Sequence, residues 1–341
     1  ALQALNERHY DLVITMSRVG EMLVHVFGNK AKEIQEDIPV VLLAYDTREL
    51  ALFKKSPGID LVFVWSGNSQ VFLAIIKIIE DSKNVEDDTA LGDVPVILLA
   101  EDSRRFYSLF LPQLYQELME QTNSLAREGL SLHHRILRRR ARAKILLATD
   151  MEQAQHFYKQ YAKHIIGLIT DAAYPWKGEH NSSAGSELIK IIQQDGRDIP
   201  IIMQSSLLEN RKVAKKLNID FLDKSDSGLL KGIRAFMREK MGFGDFVFRD
   251  SDGNETGRAK DIEEMIHLLP YIDSDSLRYH GERHDFSRWF RARTEFDLAA
   301  DLRPRKVGDF EDIEEARSFL LIMMRDFQRQ NQRGEVADFS L

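Results

Sequence analysis

The sequence predicts an α/β protein: two doubly wound parallel sheets in tandem, the first truncated, followed by a mainly helical segment. Three observations carry this. Short runs rich in Val, Ile and Leu alternate with segments of helical period, the pattern of parallel strands covered on both faces by crossover helices. Two sets of such repeats follow one another with matching landmarks: YDLVIT with IIGLIT, IPVVLLA with IPIIMQS, and GIDLVFV with NIDFLDK. From residue 246 the strand pattern stops after one hairpin, and helices take over.

In chain order, the first unit (1–84) has strands at Asp11–Thr15, Pro39–Ala44 and Asp60–Val64, then an apolar helix at Gln70–Glu80. The stretch DSKNVEDDTALGD, residues 81–93, is acidic and polar and reads as a turn-rich linker. The second unit (94–241) has five strands, Pro95–Ala100, Lys144–Ala148, Ile165–Thr170, Pro200–Gln204 and Asp220–Leu222, each trailed by a helical segment. Its last helix, Gly228–Met241, is stopped by the glycines of GFGDF. In the third region (246–341), FVFRDSDGNETGRA predicts a hairpin turning at Asp252–Gly253, and helices complete the region as a connector. The chain opens on ALQALNERHY, with neither Met nor capping residue, and closes on RGEVADFSL without a helix-stop signal, so it reads as a piece of a larger protein.

The 341 residues suit two or three domains at roughly 100–200 residues each. With 47 basic against 54 acidic residues, the net charge of −7 argues against a protein that wraps nucleic acid. The absence of cysteine removes disulfides, thiolate metal sites and cysteine nucleophiles, and fits a reducing cytoplasm. No run approaches the ~18 apolar residues of a membrane span.

In an open parallel sheet, function collects at the carboxyl ends of the strands, beside the reversal in strand order. In the second unit those ends carry Glu101 and Asp102 (LLAED), Asp171 (LITD), Ser205 (IMQSS) and Lys224 (FLDK). Three carboxylates repel one another unless a hard divalent cation such as Mg²⁺ sits among them. An Asp can attack phosphorus, while a metal, a Lys and a Ser hydroxyl balance the charge on the phosphoryl oxygens. The chemistry implied is formation of an acyl phosphate on Asp171.

The combination ILLAED, LITDAAYP, IPIIMQSS and FLDK resembles the receiver domain of two-component response regulators, over residues 94–241. The resemblance implies a flavodoxin-like sheet, Asp171 as phosphoacceptor, and Glu101, Asp102, Asp171 and the backbone carbonyl of Ala173 as Mg²⁺ ligands. It implies Ser205 as the switch hydroxyl, Lys224 as the conserved-type lysine, and Phe221 as the switching aromatic. Histidine kinases or small acyl phosphates would be the donors. Two features depart from the pattern: Ser225 stands where receivers usually have proline, and the segment 104–142 is about twice the expected length, predicting a long or double helix suited to a homodimer contact. The first unit keeps the layout without the chemistry, with Met16 at the acceptor position, Ala44 at the hydroxyl, and Trp65–Ser66 near the lysine. It reads as a degenerate pseudo-receiver.

A second resemblance lies in SLRYHGERHDFSRWFRARTEFDLAADLRPRKVGDF, similar to a segment of bacterial phosphoenolpyruvate synthase-like proteins of the pyruvate phosphate dikinase family. It implies a regulatory front, not itself an enzyme, attached to a C-terminal PEP/pyruvate-binding catalytic region. The alternative is a receiver-like scaffold that is never phosphorylated and serves dimerisation or docking.

Other features have plainer readings. The basic run Arg135, Arg138, Arg139, Arg140, Arg142 and Lys144 suits the solvated face of a helix entering a strand. In the segment 283–296, Arg283, His284, Phe286, Arg288, Trp289, Arg291 and Arg293 offer cations for an anionic ligand, but the helical spacing of the aromatics predicts packing. GEHNSSAG reads as a loop after the third strand.

Overall fold

The computed structural model describes residues 1–45, 48, 57–65, 67–128 and 141–338. After helix α1 (Leu2–Glu7) come strand β1 (Val13–Thr15), a small hairpin of β2 (Arg18–Val19) and β3 (Met22–Leu23), and helix α2 (Val24–Ile34). Strands β4 (Val40–Ala44) and β5 (Leu61–Val64) complete a three-stranded parallel sheet in the order β1-β4-β5. All five residues of β4, VVLLA, are buried, as expected of a central strand covered on both faces. Among the described residues β1 pairs with β4 alone, with Val13 opposite Val40.

Helix α3 spans Gln70–Gly92 without a break, so the expected linker at 81–93 is helical. The polar letters there misled, because Asp81, Val85 and Thr89 repeat at the four-residue spacing of one helix face and are all buried. The helix stops at Asp93, whose φ of 49° is left-handed.

The second sheet has β6 (Val96–Ala100), β7 (Lys144–Ala148), β8 (Ile165–Asp171), β11 (Ile201–Ser205) and β12 (Asp220–Asp223). All neighbours are parallel, and the order is β7-β6-β8-β11-β12. Between β6 and β7 lies α4 (Arg104–Glu128), the long helix expected of the insert. α5 (Met151–Tyr161), α6 (Ala184–Gln194), α7 (Asn210–Lys216) and α8 (Leu229–Ala235) are the other crossover and closing helices. A second small hairpin, β9 (Tyr174–Trp176) with β10 (Glu179–Asn181), follows β8. GEHNSSAG is therefore part strand and part helix start, not a loop throughout. A hairpin thus follows the corresponding strand in both sheets, after β1 and after β8, a likeness that apolar runs alone do not reveal.

One core contains Val41, Leu43 and Phe63 of the first sheet, Ile75 and Ile78 of α3, Leu111 and Tyr115 of α4, and Ile97, Leu99 and Ile145 of the second sheet. Asp81 ties the same parts together. It accepts from Tyr115 Oη at 2.8 Å and Ile145 N at 2.9 Å, and pairs with Arg142. Lys144 pairs with Asp88 at 2.6 Å. Arg142 and Lys144 are buried, which corrects their expected place on a solvated basic face. Arg135, Arg138, Arg139 and Arg140 lie outside the described residues.

The chain then forms the expected hairpin, β13 (Phe246–Arg249) with β14 (Glu255–Ala259), where Gly253 takes φ +88°. Helices α9 (Ile262–Leu268), α10 (Ser274–Glu282), α11 (Asp285–Ala292), α12 (Phe296–Leu302) and α13 (Ile313–Asp338) follow. Phe246, Phe248, Phe286, Trp289 and Phe290 form their core, so the aromatics of 283–296 pack as their spacing predicts. No helix among the described residues is long and apolar enough to cross a membrane.

Candidate functional site

The strand order reverses between β6 and β8, and the carboxyl ends of these strands form the crevice that such a reversal opens. β6 ends at Ala100, so Glu101 and Asp102 leave the sheet there, while Asp171 is the last residue of β8. One carboxylate oxygen from each of Glu101, Asp102 and Asp171 lies within 4.8 Å of the others. Lys224, one residue beyond β12, reaches across to donate from Nζ to Glu101 Oε2 at 2.6 Å and to Asp171 Oδ2 at 2.5 Å.

Each group is held by backbone as well as by charge. Glu101 Oε1 accepts from Ser103 N at 3.0 Å, Asp171 Oδ1 accepts from Ala172 N at 2.6 Å, and Lys224 N donates to the Ser205 carbonyl at 3.0 Å. Gly185 lets α6 approach Asp171 closely, since a Cβ there would collide with the Asp171 carbonyl oxygen. Burial, with the charge of Asp171 adding to it against Lys224, pushes the Glu101 carboxyl up to about 8. Burial and Asp171 also raise Asp102. Three carboxylates against one ammonium leave a surplus of two negative charges when all are ionised. An all-oxygen donor set with that surplus fits a hard divalent cation, so the cluster could hold a metal ion.

Glu101, Asp102, Asp171 and Lys224 therefore meet as the sequence predicts. Ser205 closes the neighbouring strand β11, but its Oγ accepts from Leu207 N at 3.1 Å and Asn210 Nδ2 at 2.9 Å, leaving its O–H to donate. Phe221, half-buried on β12, lies beneath the Arg211 guanidinium at 5.4 Å. Ala173 is half-buried, its N 3.5 Å from Asp171 Oδ1. In the first sheet Met16 is exposed and Ala44 is buried at the end of β4, and neither side chain offers a carboxylate or hydroxyl. Ser66 lies outside the described residues.

Three neighbours escape sequence reasoning. Gln204, opposite Asp171 in the β8–β11 register, donates from Nε2 to Glu101 Oε2 at 3.2 Å, while its buried Oε1 has no partner among the described residues. A polar residue next to the end of an otherwise apolar strand was its signal. Phe106, on the first turn of α4, puts its ring 4.3 Å from Lys224 Nζ, a contact that carries no sequence signal. His180 on β10 is close enough for its charge to act on Asp102, and the KG turn of its hairpin could have placed it.

No known protein-family model matches the chain, and no curated protein matches its sequence.

Proposed function

We propose that the chain is a two-component-type signal receiver in which Asp171 accepts a phosphoryl group. The observation that carries this reading is the Lys224 ammonium bridging Glu101 and Asp171, with the Asp102 carboxylate beside them. The strand order supports it, being the flavodoxin-like arrangement in which the first strand is second from the edge. The first sheet would be the truncated partner of a tandem pair.

Glu101, Asp102, Asp171 and the Ala173 carbonyl would hold Mg²⁺, which when bound supplies positive charge to the phosphoryl oxygens. An Asp171 carboxylate oxygen attacks the phosphorus of a kinase phosphohistidine or a small acyl phosphate. The new O–P bond replaces the donor's P–N or P–O bond, whose electron pair leaves with imidazole or carboxylate. Lys224 stays paired with the product charge, and the Ser205 O–H is free to swing toward a phosphoryl oxygen. Withdrawal of Ser205 from Leu207 N and Asn210 alters the β11–α7 turn, and Phe221 follows on the adjacent strand. The helical segment would pass the change to a PEP/pyruvate-binding catalytic region of the parent protein, and the chain itself would be regulatory and not an enzyme.

The test is incubation with acetyl phosphate and Mg²⁺ followed by peptide mass mapping. One phosphoryl group on Asp171, absent from Asp171→Asn, is expected. An unmodified protein, or undiminished labelling of the variant, overturns the reading. A scaffold that is never phosphorylated and serves dimerisation or docking is the second reading, favoured by the core that runs unbroken from one sheet to the other. It predicts indifference to Asp171→Asn in assembly and regulation.

A further inference from the structure

At the end of the second sheet opposite the acidic cup, a cavity of about 310 Å³ lies between the amino ends of the strands and helices α11 and α12. Ile165, which opens β8, lines it, and Asp171 closes the same strand, which puts the cup ~20 Å away at about 3.3 Å per residue.

The walls carry five cations, Lys163, Arg197, Arg288, Arg291 and Arg303, against two carboxylates, Asp93 and Asp198. Those carboxylates are already shared. Asp93 Oδ1 accepts from Arg291 Nη2 at 3.1 Å and faces His164 Nδ1 at 3.0 Å. Asp198 stands 3.7 Å from Arg288, which pairs more closely with Asp285 at 2.8 Å, away from the cavity lining. Arg303 Nη2 donates to the Asp198 backbone carbonyl at 3.3 Å and has no ion pair among the described residues. Arg291 Nε is buried with no hydrogen-bond partner among the described residues. Lys163 and Arg197 make no ion pair with a carboxylate among the described residues. Burial and neighbouring cations hold Arg303 below the usual arginine range, and burial does the same to Arg291.

Docking the helical segment onto the sheet would need only matched pairs. With Arg291 paired to Asp93 and Arg288 to Asp285, Arg197 and Arg303 have only Asp198 between them among the described residues, and a half-buried guanidinium without its own counter-charge raises the energy of the empty cavity. Guanidinium forks match phosphate oxygens two at a time. The volume lies at the small end of ligand sites, roughly 300–1,000 Å³, which suits a small molecule and not a polymer.

We infer that this cavity binds a small phosphate-bearing anion of two or more negative charges, held by Arg197, Arg291, Arg303 and Lys163 between the base of the sheet and the helical segment. Occupation ties α11 and α12 to the sheet at the end remote from Asp171. A metabolite signal could thereby reach the connector independently of phosphorylation.

The test is calorimetric titration of the full chain with inorganic pyrophosphate in metal-free buffer at fixed ionic strength, with thermal melts in parallel. Saturable one-to-one binding and a raised melting temperature are expected. Arg303→Gln and Lys163→Gln should each weaken binding about tenfold or more and melt like the parent without ligand. Asp171→Asn should bind as the parent does. Citrate, of similar charge but without phosphate geometry, should bind more weakly. Absence of saturable binding, binding that survives both substitutions, or equal affinity for citrate overturns the inference.

Discussion

Lys224 Nζ lies 2.6 Å from Glu101 Oε2, and the Glu101 side chain has no exposed surface. The Lys224 side chain is itself only 3% exposed, so neither charge can turn to water. Lys224 also meets Asp171, at 2.5 Å. A single side chain from the far strand β12 therefore sets the charge balance of carboxylates delivered by β6 and β8.

Removing that side chain tests the balance. Lys224→Met leaves the three carboxylates of Glu101, Asp102 and Asp171 facing one another with Glu101 fully buried, and breaking a buried pair in this way costs about 3–5 kcal/mol. The loss should be smaller at pH 5, where Glu101 takes up a proton, and smaller again with saturating Mg²⁺. Urea unfolding at pH 5 and pH 8, with and without Mg²⁺, measures it. An equal loss under all four conditions would show that the carboxylates do not feel the lysine.

Metal affinity should depend on pH with a defined sign. The Glu101 carboxyl is raised from its ordinary 4.5 to about 8, so its protonated form is favoured in the fold. The associated stability is complete below about pH 4.5 and is lost as pH rises through about 8. Mg²⁺ needs the ionised form, so its affinity should climb from pH 6 to pH 8, with about one proton released per ion. Calorimetry in buffers of different ionisation enthalpy reads that proton. Glu101→Gln should bind Mg²⁺ more weakly at pH 8 and with a flatter pH profile, and an unchanged profile would exclude Glu101.

Much of this site was legible because parallel strands are short apolar runs, and the first polar residue after such a run marks the strand end. LLAED, LITD and FLDK each expose that boundary. What stayed hidden depends on tertiary context. The residues 81–93 read as a linker because Asp81 is charged, yet it is completely buried against Arg142, Tyr115 and the backbone of Ile145. Likewise Arg142 and Lys144 look solvated until α3 supplies Asp81 and Asp88. Buried ion pairs invert the polarity pattern on which sequence reading relies.

The close approach of α6 to β8 gives a backbone test of the cup. Gly185 N donates to the Ala172 carbonyl at 3.1 Å, and a Cβ at 185 would strike the Asp171 carbonyl oxygen. Because the obstacle is backbone, Gly185→Ala must displace either the helix or the strand end, at about 1–3 kcal/mol. Labelling by acetyl phosphate should slow more than stability alone explains, since Asp171 moves relative to Lys224. Labelling at the parent rate in a folded variant would mean that the cup tolerates the shift.

The two sheets should unfold as one body. Asp81 on α3 receives Tyr115 from α4, Arg142 beside β7 and the backbone of β7 itself, and the hydrophobic core continues through the same helices. Asp81→Asn keeps the shape but leaves the Arg142 guanidinium without its counter-charge, at a cost of about 3 kcal/mol or more. If the sheets are joined as tightly as this contact implies, the loss appears in both. Trp65, 5.0 Å from Phe72 on α3, reports the first sheet, and Trp176 on β9 reports the second. Single-tryptophan variants retaining one or the other should melt at the same temperature and fall together on Asp81→Asn. Separate transitions, with Trp176 unmoved by the substitution, would show that the sheets fold independently and that the buried aspartate stabilises only its own helix.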